Sequence, residues 1–338
     1  MEGLARVAGY TPRLGPQVQT YFWVADKALG FRNRPNGRLE NGWVRGKPVV
    51  TTDSNGYRRG YGSALGLPPE VVFVGDSTTF CAEVADDETI SSEVEKILGG
   101  RRRTAAVNAG VRGYNTLQSS RMLRECLARF PSIRAAVYTY SDNDYVENLN
   151  PIYYFPLKAP TVWRESADQP FHEVEVSAQI VPWGHAFFRL KGSPLDELFI
   201  GVATHSHSAL LNGSYRAIQR LRRSGPSRGS KAEPQITLPS GSRAKPFEGP
   251  EPDEQIGWAK RHGADEALET LLSRMNRICA EAGAGFAAVR FTTGGEEPAD
   301  RAFEERCRRA GVRYVSLRSH FVRPKTSYMA RLPDGGYD

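Results

Sequence analysis

Short, unbroken apolar runs recur along this sequence, and amphipathic segments of helical period separate them. Such runs are typical of parallel strands that are buried on both faces, and apolar residues three or four positions apart indicate helices. The runs predict strands at residues 71–74, 105–107, 135–140, 286–291 and 312–317. The amphipathic segments predict helices around residues 90–98, 116–130, 268–279 and 299–310. This alternation predicts an α/β fold with a doubly wound, parallel, five-stranded sheet.

Two stretches depart from this alternation. Residues 1–70 are rich in Gly, Pro, Arg and aromatic side chains, so we expect an N-terminal wrapping extension with short strands rather than a separate domain. Residues 145–260 interrupt the alternation and are expected to lie over the C-terminal rim of the sheet. Within this insertion we expect residues 145–221 to form a lid, with a helix over 195–221. The Ser/Pro/Gly/Lys-rich residues 222–252 are expected to be a mobile polar segment.

Composition and charge exclude several classes of protein. The 338 residues are 40% hydrophobic and 25% charged, which is typical of a globular protein. The net charge of +7 comes from scattered arginine clusters without interleaved aromatic residues, so we expect no nucleic-acid partner. No run is long enough to span a membrane, and the four cysteines lack metal-ligand spacing. The start of the chain has no apolar signal core, which leaves the compartment open between cytoplasm and export through an upstream leader.

The first three predicted strands each end in a small or polar cluster. Gly75-Asp76-Ser77 follows the first strand, residues 108–114 follow the second, and Ser141 to Asp144 follow the third, about 30–35 residues apart. Because the carboxyl ends of parallel strands meet at one edge of the sheet, these clusters are expected to meet there. A Gly-Asp-Ser turn alone is also an ordinary tight turn, and only the ordered trio points to a serine nucleophile.

With these three clusters, the chain resembles the SGNH (GDSL-like) hydrolase superfamily, in particular its large uncharacterised bacterial branch. Residues 74–77 match the first block of that family, Gly113 the second, and Asn143-Asp144 the third, with Ser141 at a position where the family usually has glycine. The resemblance covers residues 71–338, which we take as one hydrolase-like domain. It implies a flavodoxin-like three-layer sandwich that needs neither a metal nor an organic cofactor.

The resemblance also implies roles for individual residues. Ser77 would be the nucleophile of a serine esterase or deacylase that hydrolyses an acyl ester, including an O-acetyl ester. The backbone N–H groups of Ser77 and Gly113 and the side-chain amide of Asn143 would form a three-donor oxyanion hole. Asp76 and Asp144 would support these groups structurally.

The fourth block of the family is an Asp and a His a few residues apart. Residues 332–338 resemble the approach to that block, so Asp338 is expected to orient the catalytic base, with Asp334 as the second candidate. We expect the natural protein to continue past Asp338 with a histidine within three residues, so that the chain as given would be nearly inactive. Within the chain, His320 is the best substitute base.

Two other interpretations remain open. The protein could be a catalytically dead SGNH-like binder of carbohydrate, or an accessory protein of O-acetyl transfer. In each case the expected partner is a small-molecule or carbohydrate ester, and exposed aromatics such as Trp163 and Trp183 in the lid would favour a sugar. The sequence determines neither the acyl group, nor the alcohol, nor the oligomeric state.

Overall fold

The structure of the chain, a computed structural model, describes residues 23–40, 49–60, 66–99, 104–149, 159–164, 166–177, 235–237, 243–244, 252–291 and 297–316. Its strands are β1 (Trp23–Asp26), β2 (Gly30–Asn33), β3 (Arg38–Glu40), β4 (Val49–Thr51), β5 (Pro69–Gly75), β6 (Ala105–Asn108), β7 (Ala135–Tyr140), β8 (Ala159–Trp163), β9 (His172–Ser177), β10 (Gln235–Thr237), β11 (Arg243–Ala244), β12 (Gly285–Arg290) and β13 (Arg313–Tyr314). Its helices are α1 (Ser77–Phe80), α2 (Ile90–Gly99), α3 (Thr116–Arg129), α4 (Asp144–Glu147), α5 (Pro252–Arg261), α6 (Ala264–Glu281) and α7 (Glu297–Arg309), and a 3-10 turn spans Asp86–Glu88.

The central sheet has five parallel strands in the order β13-β12-β7-β5-β6. Numbered along the chain within this sheet, the order is 2-1-3-4-5, the flavodoxin-like arrangement. The prediction of a doubly wound, parallel five-stranded sheet is therefore confirmed. Strand β5 pairs with both β6 and β7, so that Val72 lies opposite Val107 on one side and Ala136 on the other. The strand order reverses at β5, and folds of this order bind their ligands at that reversal.

Helices α3 and α6 cover the sheet and pack against each other. Their apolar sides are fully buried, through Leu117 and Leu123 of α3 and Leu268 and Met275 of α6. Burial of such side chains contributes about 1.5–3 kcal/mol each, which makes this layer a large part of the core.

Helix α3 begins at Thr116, as predicted, and Asn115 is its N-cap. The Asn115 side chain accepts the N–H of Gln118 at 2.9 Å, and the Gln118 side chain accepts the N–H of Asn115 at 3.1 Å. This reciprocal pair satisfies two donors at the helix start. The Thr116 hydroxyl bonds the Tyr138 hydroxyl at 2.8 Å.

The N-terminal strands form two antiparallel hairpins, β1–β2 and β3–β4, that pack on the sheet domain. Phe31 joins the core against Tyr114, with ring centroids 5.3 Å apart, and Arg32 forms a two-pronged ion pair with Glu125 of α3. The main chain of Arg58 donates to the carbonyl of Asn108 at the end of β6, 2.9 Å away. Short strands were predicted here, and they are present.

The insertion contains a second sheet, antiparallel, in the order β11-β10-β9-β8. The polar segment over 222–252, for which no regular structure was expected, contains two short strands at residues 235–237 and 243–244, where β10 extends the edge of β9 and β11 extends β10. Pairing of backbone N–H and C=O groups with an open strand edge does not require apolar side chains, so composition gave no sign of it. The helix predicted over 195–221 lies outside the described residues.

Trp163 does not present an exposed face for a sugar. Its side chain is buried against Trp258 of α5, with ring centroids 5.9 Å apart, and His262 stacks on Trp258 at 4.5 Å. Trp183 lies outside the described residues. Among the helices that the structure describes, none is long and apolar enough to cross a bilayer.

Candidate active site

The turn that carries Ser77 depends on a glycine and a capping aspartate. Gly75, the last residue of β5, has a φ of +153°, and a Cβ there would lie 2.6 Å from the carbonyl oxygen of Thr139 on β7. Only glycine lets the two strands end this close together. Asp76 then caps α1, because its carboxylate accepts the N–H of Thr78 at 2.9 Å. Ser77 is therefore fixed as the first residue of the helix, at the rim of the sheet where the strand order reverses.

Asp76 also joins the first cluster to the third. Its side chain is buried, and its Oδ1 accepts the hydroxyls of Thr78 and Ser141, each at 2.9 Å. Its Oδ2 accepts the Ser77 hydroxyl at 3.3 Å and the Asn143 amide at 3.4 Å. One carboxylate thus brings the predicted nucleophile and a predicted oxyanion donor together. The serine in place of the usual glycine contributes directly, because its hydroxyl is one of the donors.

The second cluster is attached to helix α1, which carries Ser77, by close backbone packing. A Cβ on Gly110 would lie 2.5 Å from the backbone nitrogen of Phe80 in α1, so a larger residue would force the loop or α1 to move. The Asn108 side chain donates to the Thr79 carbonyl at 2.8 Å and accepts the Gly110 N–H at 3.1 Å. Gly113, farther along this loop, has a φ of +77°, and its N–H makes no hydrogen bond within the described part of the chain.

Two buried carboxyl groups lie beneath the third cluster. Asp144 is fully buried and its Oδ2 accepts the Tyr138 hydroxyl at 2.6 Å. Burial raises the pKa of Asp144 well above its usual value, and the charges of Asp76 and Glu147 add to the effect. Burial also raises the pKa of Glu147 to about 8, with a contribution from Asp76, while a hydrogen bond from the Asn143 side chain opposes the rise.

The antiparallel sheet of the insertion is attached next to this loop. The Asn115 amide donates both to the Glu147 carbonyl at 3.2 Å and to the Pro160 carbonyl of β8 at 3.0 Å. The carbonyl of Asn148 accepts the N–H of Val162 at 3.0 Å. The insertion therefore begins its sheet directly beside the helix that follows Asn143.

The predicted candidates for the base and its orienting carboxylate cannot be placed in the site. Asp338, Asp334 and His320 all lie outside the described residues. Of the described histidines, His172 is in β9, and Nδ1 of His262 donates to the Trp258 carbonyl, 2.8 Å away. Within the described ranges, Ser77 Oγ has Asp76 as its only side-chain partner, and no group of three or more His, Cys, Asp or Glu residues there has the arrangement of a metal site.

Three features of this site were not predicted from the sequence. They are the hydroxyl contact of Ser141, the burial of Glu147, and an ion pair between Asp142 and Arg290 at the end of β12. The departure from the family glycine at position 141 was a usable signal for the first. The other two depend on contacts across the fold, for which the sequence offers no local pattern.

Comparison with known proteins shows a distant structural similarity. No protein-family model matches the chain, and no curated protein matches it. A solved structure of a mutant of the esterase AlinE4 is similar, with a TM-score of 0.35 and 11% identity over 80% of this chain and 89% of that one.

Proposed function

We propose that this protein is a serine ester hydrolase of the SGNH type, acting on an acyl ester of a small molecule or carbohydrate. The observation that carries the proposal is the shared acceptor: the Ser77 hydroxyl and the Asn143 amide both contact Oδ2 of Asp76 at the strand-order reversal. Acyl transfer uses a nucleophile beside a hydrogen-bond donor for the oxyanion, and open α/β sheets bind their ligands at this edge.

In this reaction the oxygen of Ser77 attacks the acyl carbon and the alcohol leaves, which gives an acyl-enzyme. Water then releases the acid and restores the serine. The negative charge on the tetrahedral intermediates would be stabilised by the N–H groups of Ser77 and Gly113 and by the Asn143 amide. Ser77 is the first residue of α1, where backbone N–H groups have no partner within the helix.

Asp76 is assigned a positioning role rather than that of the base. It already accepts five hydrogen bonds, from the main chain and hydroxyl of Thr78 and from the side chains of Ser77, Ser141 and Asn143. The proton of Ser77 would instead pass to a histidine oriented by Asp338, as the family resemblance implies. The insertion over 145–260 is proposed to determine which ester is accepted, because its sheet is attached next to the Asn143 loop.

Labelling with a fluorophosphonate probe tests the proposal, since such probes react with activated serines. The full-length protein should be labelled, and peptide mapping should locate the label on Ser77. Ser77→Ala should abolish the reaction, whereas Ser166→Ala, which removes an exposed hydroxyl that bonds Asp168, should leave it intact. Persistent labelling of Ser77→Ala would contradict the assignment, and an unlabelled wild-type protein would favour a binder without catalytic activity.

A further inference from the structure

A fully buried arginine stands at the end of β12, next to the loop that carries Asn143. Arg290 lies opposite Tyr140, the last residue of β7, and its side chain is 1% exposed. An unpaired guanidinium in such a place would be very costly, because a buried charge needs paired and hydrogen-bonded partners. The hydrogen-bond partners of Arg290 therefore indicate the structural role of its side chain.

Arg290 holds two aspartates with three of its N–H groups. Its Nε donates to Asp142 Oδ1 at 2.9 Å and its Nη2 to Asp142 Oδ2 at 2.6 Å, a two-pronged pair. Its Nη1 donates to Asp300 of α7 at 2.6 Å. A two-pronged contact fixes direction as well as distance, because guanidinium and carboxylate are both planar. The side chain of Asp142 is 59% exposed, so this ion pair joins a carboxylate on the surface of the loop to a buried guanidinium.

The loop is consequently fixed at two successive residues before Asn143. Ser141 is bonded to Asp76 on the β5 side, and Asp142 is bonded to Arg290 on the β12 side. Backbone hydrogen bonds hold the same loop. The N–H of Asp144 donates to the Ser141 carbonyl at 3.0 Å, and the N–H of Tyr145 donates to the Asp142 carbonyl at 3.2 Å. With two neighbouring residues held from opposite sides, the position of Asn143 is set by both.

We infer that Arg290 is a positioning residue for Asn143, acting through Asp142. The inference rests on the proposed function and extends it: Arg290 touches no substrate, but it holds the oxyanion donor at the distance that the transition state needs. A displacement of about 1 Å in such a donor can cost about 100-fold in rate. The Asp142–Arg290 pair would thus affect turnover while leaving ground-state binding unchanged.

The chain offers a matched pair of variants to test this. Asp142→Asn removes the charge that holds the loop, and Asp300→Asn removes the other aspartate from the same guanidinium without touching the loop. We expect Asp142→Asn to lower kcat on p-nitrophenyl acetate about 10- to 100-fold with KM unchanged. Asp300→Asn should stay within about 3-fold of wild type, a change no larger than ordinary context effects. Urea unfolding checks that each variant is folded. Arg290→Lys keeps the positive charge but loses the two-pronged contact with Asp142, so its kcat should fall as that of Asp142→Asn does.

The decisive comparison repeats Asp142→Asn in an Asn143→Ala background. If the pair acts through Asn143, the second substitution adds no further loss of kcat, because the donor it positions is already gone. An additive loss, or a wild-type kcat for Asp142→Asn alone, would overturn the inference while leaving the esterase proposal standing. A wild-type protein without Ser77-dependent turnover would overturn both, so the two failures are distinguishable.

Discussion

Ser77 Oγ and Asn143 Nδ2 lie 3.3 Å and 3.4 Å from a single atom, Oδ2 of Asp76. The two residues follow different strands, β5 and β7, and are far apart in the sequence. Their common acceptor sets the spacing between the proposed nucleophile and the proposed oxyanion donor. The buried carboxylate of Asp76 is therefore as important to the site as the residues that would act on the ester.

Asp76→Asn tests this shared acceptor. The asparagine oxygen can still cap α1, but the new amide presents hydrogens toward Ser77 or Asn143, or toward the hydroxyls on its other side. We expect a loss of about 1–3 kcal/mol in the free energy of unfolding. We also expect a fall in kcat of about 10-fold or more, since each of the misplaced groups acts in the transition state. Urea unfolding and steady-state kinetics measure the two effects, and an unchanged kcat would show that Asp76 does not position the site.

Asn143→Ala tests the oxyanion role of the amide. Loss of one such donor costs about 10²–10³ in kcat, with little change in KM, because the donor acts on charge that exists only in the transition state. Asn276→Ala is the control, since it removes a half-buried asparagine on α6, away from the site, that donates to the Gly311 carbonyl at 2.9 Å. A change confined to KM would mean that Asn143 binds the ground state instead.

Glu147 should make the stability of the protein depend on pH. Its folded-state pKa of about 8 exceeds the ordinary value of 4.5, so the folded protein holds a proton that the unfolded chain has lost between these values. The contribution is fully present below about pH 4.5 and is lost as pH rises toward about 8. Glu147→Gln mimics the protonated form and should therefore be more stable than wild type at pH 8, by a few kcal/mol in order of magnitude.

The same variant supplies its own control at low pH. Near pH 4.5 the glutamate is neutral in the folded protein, so Glu147→Gln and wild type should unfold at similar urea concentrations. Buried Asp144, whose pKa is also raised, keeps part of the pH dependence in both proteins. Parallel stability curves for the two proteins across this range would refute the assignment of a buried, protonated Glu147.

Gly110→Ala tests the contact between the second cluster and helix α1, which carries Ser77. The added methyl group would lie 2.5 Å from Phe80 N, so the loop or α1 has to move. Overpacking of this kind costs about 1–3 kcal/mol of unfolding free energy. Gly257→Ala, in helix α5 where the nearest atom is the end of the Arg261 side chain at 3.4 Å, should be neutral or stabilising. Equal stability of the two variants would argue against tight packing at Gly110.

The parts of this fold that the sequence predicted are those with a local signature. Parallel strands buried on both faces appear as apolar runs, and the clusters at residues 75–77, 108–114 and 141–144 were placed together because parallel strands end at one edge. Arg290 and Asp142 are 148 positions apart, so no local pattern could pair them. Strand β10 pairs with the open edge of β9 and β11 pairs with β10, and only the folded insertion provides these edges.

The formation of an acyl-enzyme on Ser77 tests the central claim most directly. The full-length protein is mixed with p-nitrophenyl acetate, quenched during the first turnover, and its mass and peptides are measured. The account predicts one acetyl group per chain, on the peptide that carries Ser77, and none there in Ser77→Ala. Acetylation of a different residue during turnover, or release of p-nitrophenol by Ser77→Ala at the wild-type rate, would contradict it.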